Sequence, residues 1–305
     1  MRSRFPSFLR ADRLGLAVLL VVAACGSGSS DPELASGGEV QQFAAPDRVF
    51  SGPQGDRGQF TVECGFSHFL PDDPIVHPGE PGASHLHQFF GAVDSSVDAT
   101  EELLLEGETT CEQKLDTASY WTPALIDADQ NLIEPLKAIA YYRAGPDVEP
   151  TEVVAYPPGM MLVAGDHTAV EPQPLSVVSW SCTTGSLRSE KPLDCAGATS
   201  LRMSVTFQDC WDGEHIRSPI VPDPDLHVAY SSAGECPESH PVHLLQLQLA
   251  IDFPPVPADE LDGLALASGN ILSGHADFWN TWDQAKLDNE VAHCLHRNLP
   301  CGLAG

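Results

Sequence analysis

The sequence predicts a mainly β, two-sheet, sandwich-like single domain with few short helices and several disulfides. Three observations predict it. Proline (26) and glycine (25) punctuate the whole chain, which shortens any helix. Between them lie short apolar or alternating runs at regular spacing, the pattern of strands joined by turns. The nine cysteines sit behind an export-type N-terminus, so most are expected to pair.

The predicted strands are Gln59–Glu63, Leu86–Phe90, Ala138–Tyr142, Met160–Ala164, Ser176–Trp180, Leu201–Phe207, His227–Tyr230 and Leu244–Phe253. Leu115–Tyr120 reads as a helical turn. The best helix runs from Thr281 to about His296. Thr281 is its expected N-cap, Asp283 favours the first turn, and Trp282, Ala285, Val291 and Leu295 form a partial apolar stripe.

The N-terminus carries Arg2, Arg4, Arg10 and Arg13, then an apolar run from Leu14 to Ala24. A basic segment followed by a run too short to span a bilayer is a signal peptide, here residues 1–24. Its end, Val22-Ala23-Ala24-Cys25-Gly26, is similar to a bacterial lipobox, in which the cysteine thiol takes a lipid. Cys25 is therefore the expected lipidation site, and the membrane the expected partner through that anchor. Residues 25–45 are small, polar and Gly/Ser-rich, a flexible tether. Residues 46–305 form the globular domain. The expected location is outside the cytoplasm, at the cell surface or in the periplasm, as a membrane-anchored lipoprotein.

With Cys25 assigned to lipid, eight cysteines remain. Sequence proximity favours Cys182–Cys195, Cys210–Cys236 and Cys294–Cys301, leaving Cys64–Cys111. No CxxC pair is present, which argues against a cysteine zinc site. A net charge of −28 repels nucleic acid and excludes it as a partner. It also favours cations, although solubility alone accounts for such a charge.

The strongest local motif is Ser84-His85-Leu86-His87, followed by Phe89 and Phe90. In a strand, His85 and His87 point to one face, where two imidazoles can meet one cation. Gly274-His275-Ala276-Asp277 repeats the arrangement with an acid in place of the second histidine. His85, His87 and Asp277 are the candidate catalytic groups. His85, His87, His275 and Asp277 are the candidate ligands of a divalent metal, the one cofactor the sequence suggests. His227, His240, Asp209 and Asp212 are secondary candidates. The last two flank Cys210-Trp211 and match a glycosidase pattern as well as an ordinary Asp-Gly turn. Asp72 and Asp73 sit in a Pro/Gly-rich loop before the HxH segment, as cation ligands or as caps. His68, His77, His167, His215, His293 and His296 lack a comparable setting. No phosphate loop, GxSxG elbow or HExxH helix is present.

Taken in order, Asp73-Pro74-Ile75-Val76, Ser84-His85-Leu86-His87, Tyr120-Trp121-Thr122-Pro123, Asp209-Cys210-Trp211-Asp212-Gly213, His227-Val228-Ala229-Tyr230, Cys236-Pro237-Glu238-Ser239-His240-Pro241 and His275-Ala276-Asp277-Phe278-Trp279-Asn280 form a series. It resembles the domain-of-unknown-function family numbered nineteen-ninety-six, from about Phe60 to Cys294. The resemblance implies a secreted microbial context, sometimes beside carbohydrate-binding modules, and no activity. It also implies that the HxH and HAD segments belong to one family pattern. Three readings follow. One is an enzyme acting on extracellular polysaccharide, with or without a metal. Another is a non-catalytic module that binds glycan or metal. In the third, the histidines serve only as structural hydrogen-bonding groups.

Overall fold

The computed structural model describes residues 57–195, 200–219, 223 and 225–303. The expected signal peptide and tether, with Cys25, lie outside the described residues. In chain order the strands are β1 (Gln59–Cys64), β2 (Phe66–Leu70), β3 (His87–Gly91), β4 (Ser119–Pro123), β5 (Leu125–Ile126), β6 (Lys137–Arg143), β7 (Met161–Gly165), β8 (Val178–Cys182), β9 (Leu201–Thr206), β10 (Cys210–Trp211), β11 (Val228–Ala229), β12 (Val242–His243), β13 (Gln246–Phe253), β14 (Ala265–Leu266), β15 (His275–Trp279) and β16 (Pro300–Leu303). Two helices accompany them, α1 (Glu101–Glu106) and α2 (Gln284–Glu290). The fold is mainly β, as the sequence predicts.

Six strands form one sheet in the order β16-β1-β6-β13-β9-β8, and five form another in the order β2-β3-β4-β15-β7. Alternation along each strand explains how they pack. The first sheet turns Phe60, Val62, Tyr142, Leu247, Leu249 and Val205 inward. The second answers with Phe90, Tyr120, Leu162 and Phe278, in one continuous buried cluster. Each such side chain contributes about 1.5–3 kcal/mol relative to exposure.

A polar chain crosses this core. Tyr120 Oη–H donates to Asp116 Oδ2 at 2.8 Å, and Trp282 Nε1–H donates to Tyr142 Oη at 3.1 Å. The two tyrosine hydroxyls bond to each other, with Tyr142 the donor, since the Tyr120 proton is already given to Asp116. Burial pushes the Asp116 carboxyl up to about 8. Tyr142→Phe keeps the volume but leaves the Trp282 N–H and a Tyr120 lone pair unmet. The expected loss is about 1–3 kcal/mol, read as a lower urea midpoint at unchanged slope. An unchanged midpoint would show that the chain contributes nothing net.

The four expected disulfides are all present: Cys64–Cys111, Cys182–Cys195, Cys210–Cys236 and Cys294–Cys301. Every predicted strand is found, with ends shifted by a residue or a few.

Two local expectations are corrected. Leu115–Tyr120 is not helical: Ser119 and Tyr120 open β4, whose residues are all buried and pair on both sides. The C-terminal helix starts at Gln284, and its N-cap is Asp283, whose side chain accepts from the Lys286 N–H. Thr281 instead donates its hydroxyl to the Thr117 carbonyl. The helix stops at Glu290 and continues as a π turn over Val291–Leu295. The later start exposes Ala285 and buries Lys286, which pairs with Glu290 at 2.6 Å.

Candidate functional site

The site lies on the face of the five-stranded sheet that points away from the shared core. His87 and Phe89 on β3, Trp121 on β4, and His275, Asp277 and Trp279 on β15 alternate onto that face. Phe89, Trp121 and Trp279 form a second apolar cluster there, and Phe89 stacks on Trp121 with ring centroids 5.5 Å apart. The histidines adjoin this apolar patch. At the end of β7, Gly165 pairs with His275 at φ +86°. A Cβ there would fall 2.5 Å from the Gly274 carbonyl oxygen, so only glycine lets β7 close against His275.

The loop before β3 brings His85 to the same place. Asp73 Oδ1 accepts from the N–H groups of Ile75 and Val76. Asp72 accepts from Gly82 N–H through Oδ1 and from Val97 N–H through Oδ2. Both acids thus shape the loop through N–H groups outside β3. His85 precedes the strand rather than lying in it. Its ring centroid nevertheless sits 4.2 Å from that of His87 and 5.0 Å from that of His275.

One ligand-type atom from each of His85, His87 and His275 lies within 4.8 Å of the other two. Two of the rings are fixed from behind by backbone. His87 Nδ1–H donates to the Asp72 carbonyl at 2.8 Å, and His275 Nδ1–H to the Ser273 carbonyl at 3.0 Å. These bonds leave the Nε2 lone pairs of both rings facing the cluster. His85 Nε2 stands 3.2 Å from His275 Nε2, and His87 Nε2 is buried with no partner. Asp277 is buried beside them, 4.0 Å from His275 Nε2, and neither of its oxygens has a hydrogen bond. It stands next to the three imidazoles rather than among them.

The electrostatics follow from burial. Burial first, then neighbouring His167 and His77, lowers His85 to about 4. Burial lowers His275 to about 3, with His85 and His167 adding to the effect. Burial, then His85 and His275, holds His87 well below the ordinary imidazole value. Burial, then Asp73, raises Asp277 well above the usual carboxylate range. The three imidazoles are therefore neutral at neutral pH, the form that ligates metals.

These shifts fix the sign of a pH effect. Below pH 6.5 the unfolded chain takes up protons that the folded histidines refuse. Their stabilisation is full above pH 6.5 and is lost as the pH falls through about 4 for His85 and about 3 for His275. Asp116 and Asp277 act oppositely, since raised carboxyls lose stability as the pH rises. Metal-free protein should thus lose urea stability between pH 6.5 and 4, and His85→Ala plus His87→Ala should flatten that loss. An equal acid loss in the double variant would assign it to other groups.

The secondary candidates sit elsewhere in local bonds. His227 Nε2–H donates to the Met161 carbonyl, and His240 bonds Ser239 Oγ and the Leu226 carbonyl. Asp209 accepts from the Ser231 N–H and hydroxyl. Asp212 accepts from the N–H groups of Glu214 and His215 and from the His215 ring, a turn with its histidine folded back. The groupings Cys210, Cys236 with His243 and Cys64, Cys111 with Asp116 consist of cystine sulfurs, which are not thiolate ligands.

His167 was passed over in the sequence, and its ring lies 6.0 Å from that of His275, exposed at the edge of the cluster. Its nearness comes from the β7–β15 pairing, since it follows Gly165 by two residues. No local pattern around His167 announces this.

Fold and side chains together define a class: a disulfide-bonded, mainly β protein of several sheets with a buried histidine cluster on the outer face of the five-stranded one. A family model described as a domain of unknown function (DUF1996) matches residues 73–282, and the chain belongs to that family. The match is narrower than the Phe60 to Cys294 span of the motif series, but it contains His85, His87, His275 and Asp277. No curated protein and no solved structure matches the chain.

Proposed function

We propose that this domain holds one divalent transition-metal ion through His85, His87 and His275, with Asp277 completing the charge balance. The observation that carries the reading is the set of unmet acceptors. A single proton can bridge His85 Nε2 and His275 Nε2, but it leaves His87 Nε2 and both Asp277 oxygens without partners. Buried polar groups are rarely left so, and a buried carboxylate without a counter-charge is costly. One cation answers all of them. Three imidazoles and a carboxylate suit zinc, copper, nickel or iron rather than magnesium or calcium. When bound at such a site, the metal supplies Lewis acidity and a lowered water pKa.

The metal content of the full chain, purified with its disulfides formed, tests this. One equivalent per chain is expected, lost in His85→Ala plus His87→Ala and restored to stripped wild type by added metal. Since His85 and His275 refuse protons down to about 4 and 3, bound metal should be retained to about pH 4. A wild-type protein that neither contains nor is stabilised by any of these metals would sink the reading.

A catalytic role on extracellular polysaccharide is favoured by one further observation. His85 is partly exposed, and His167 stands exposed beside the cluster, so the metal-binding side is reachable from solvent. Polymer cleavage by the metal-loaded protein on a broad glycan panel is the expected result. No turnover would leave a binding module. The export signal and the four disulfides support an extracytoplasmic lipoprotein anchored at Cys25. A Cys25→Ser protein released in soluble form is the outcome that reading expects.

A further inference from the structure

A second site emerges from the way cations are paired. The chain has 43 acidic residues for 15 basic ones, so a buried or half-buried cation readily finds an acid. Lys286 meets Glu290, Arg202 meets Asp252 through two nitrogens, and Lys137 meets Glu63. Arg143 is the exception. It is 5% exposed, its Nη1–H donates only to Gln248 Oε1 at 3.2 Å, and its Nε has no partner. Among the described residues neither Arg143 nor Arg188 forms an ion pair; Arg188 Nη1–H donates to Ser179 Oγ at 2.8 Å. A buried guanidinium facing only an amide is an incomplete arrangement, because a charge removed from water is expensive until a counter-charge joins it.

Both arginines line one cleft of about 610 Å3 against the six-stranded sheet. That volume lies in the ordinary range for small-ligand sites. Alternation puts Arg143 on β6, Gln246 and Gln248 on β13 and Thr206 on β9 into its wall, with Tyr230 and Ser231 beside them. One carboxylate, Asp209, also lines the cleft. Its two oxygens are already taken by the Ser231 N–H and hydroxyl. Burial, and then Arg188, pull the Arg143 guanidinium down to about 10, so it stays charged at neutral pH. The two cations are close enough to repel each other, and among the described residues neither forms an ion pair with Asp209.

From this pair of guanidinium groups without an ion pair, both lining one cleft, we infer that the outer face of the six-stranded sheet binds an oxyanion, a carboxylate, sulfate or phosphate group on a small molecule. Guanidinium presents a planar fork that such groups match with two parallel hydrogen bonds. The glutamine amides, Thr206 and Ser231 supply neutral donors and acceptors for the body that carries the charge. This site involves none of the histidines.

Isothermal titration of the full chain with galacturonate, galactose 6-sulfate, inorganic phosphate and neutral galactose tests the inference and distinguishes the oxyanions. At least one charged probe should bind at least tenfold more tightly than galactose. Arg188→Gln, at an exposed position, should weaken that probe at least tenfold without moving the unfolding midpoint. Arg143→Lys keeps the charge and removes the fork, and should weaken it by a similar factor. No preference for any charged probe, or full affinity in both arginine variants, would overturn the inference. So would a loss confined to the His85→Ala plus His87→Ala protein, which would place the anion at the histidines.

Discussion

A His87→Ala protein is expected to bind its metal about 10²–10³-fold more weakly than wild type. A structural zinc site is worth roughly 10–16 kcal/mol, so, shared among three imidazole donors and the Asp277 charge, each carries about 3–4 kcal/mol, and each 1.4 kcal/mol is tenfold. His87 should be among the costliest to lose, since it is fully buried and aimed by the Asp72 carbonyl. His275 should match it, being held in the same way by the Ser273 carbonyl. His85 should cost less, because it is partly exposed and, among the described residues, its side chain hydrogen-bonds only to another member of the cluster. Asp277→Asn separates a metal role from a structural one. It removes a buried, unbonded carboxylate, so the metal-free protein should become more stable while metal affinity falls. Competition with a chelator of known affinity gives the binding constants, and urea unfolding with and without chelator gives the stabilities. Unchanged affinity in His87→Ala, or an Asp277→Asn protein weakened equally in both states, would defeat the assignment.

The parts of this site that are local in sequence were legible, and the parts made by strand pairing were not. Period-two alternation is enough to place His275 and Asp277 on one face. It also foresees that His85 and His87 meet, although His85 does so from the loop end rather than from within the strand. That β3 and β15 flank β4 is a long-range fact, set by Phe89 and Asp277 both facing Trp121. The backbone carbonyls of Asp72 and Ser273 that orient the rings have no side-chain signature at all. Tyr120 shows the same limit in the fold. Its neighbourhood reads as a helical turn, and sheet pairing on both sides overrides that local preference. The disulfides were readable because three of the four join cysteines close in sequence and the last pair follows by elimination.

That last pair, Cys64–Cys111, is where the largest stability loss among the disulfides is expected. Loop-closure entropy grows with the length enclosed, and this bond spans 47 residues, against 26, 13 and 7 for the others. The chain-entropy relation gives about 4 kcal/mol for it, about 3.5 for Cys210–Cys236, about 3 for Cys182–Cys195 and a little over 2 for Cys294–Cys301. Position sharpens the difference. The 64–111 loop contains β2, β3, the Asp72 and Asp73 turns and both HxH histidines, while Cys64 itself ends β1 in the other sheet. The bond therefore ties the histidine-bearing hairpin to the six-stranded sheet. Removing Cys64 and Cys111 together, each to alanine, should lower unfolding stability by about 4 kcal/mol and weaken metal binding, because the loop that delivers His85 gains freedom. Removing Cys294 and Cys301 should cost about half as much and leave the metal site untouched. Urea unfolding of the four paired variants, with metal content measured in parallel, reads both effects. If the 64–111 variant were no less stable than the 294–301 variant, or kept full metal affinity, the coupling between this disulfide and the histidine cluster would be refuted.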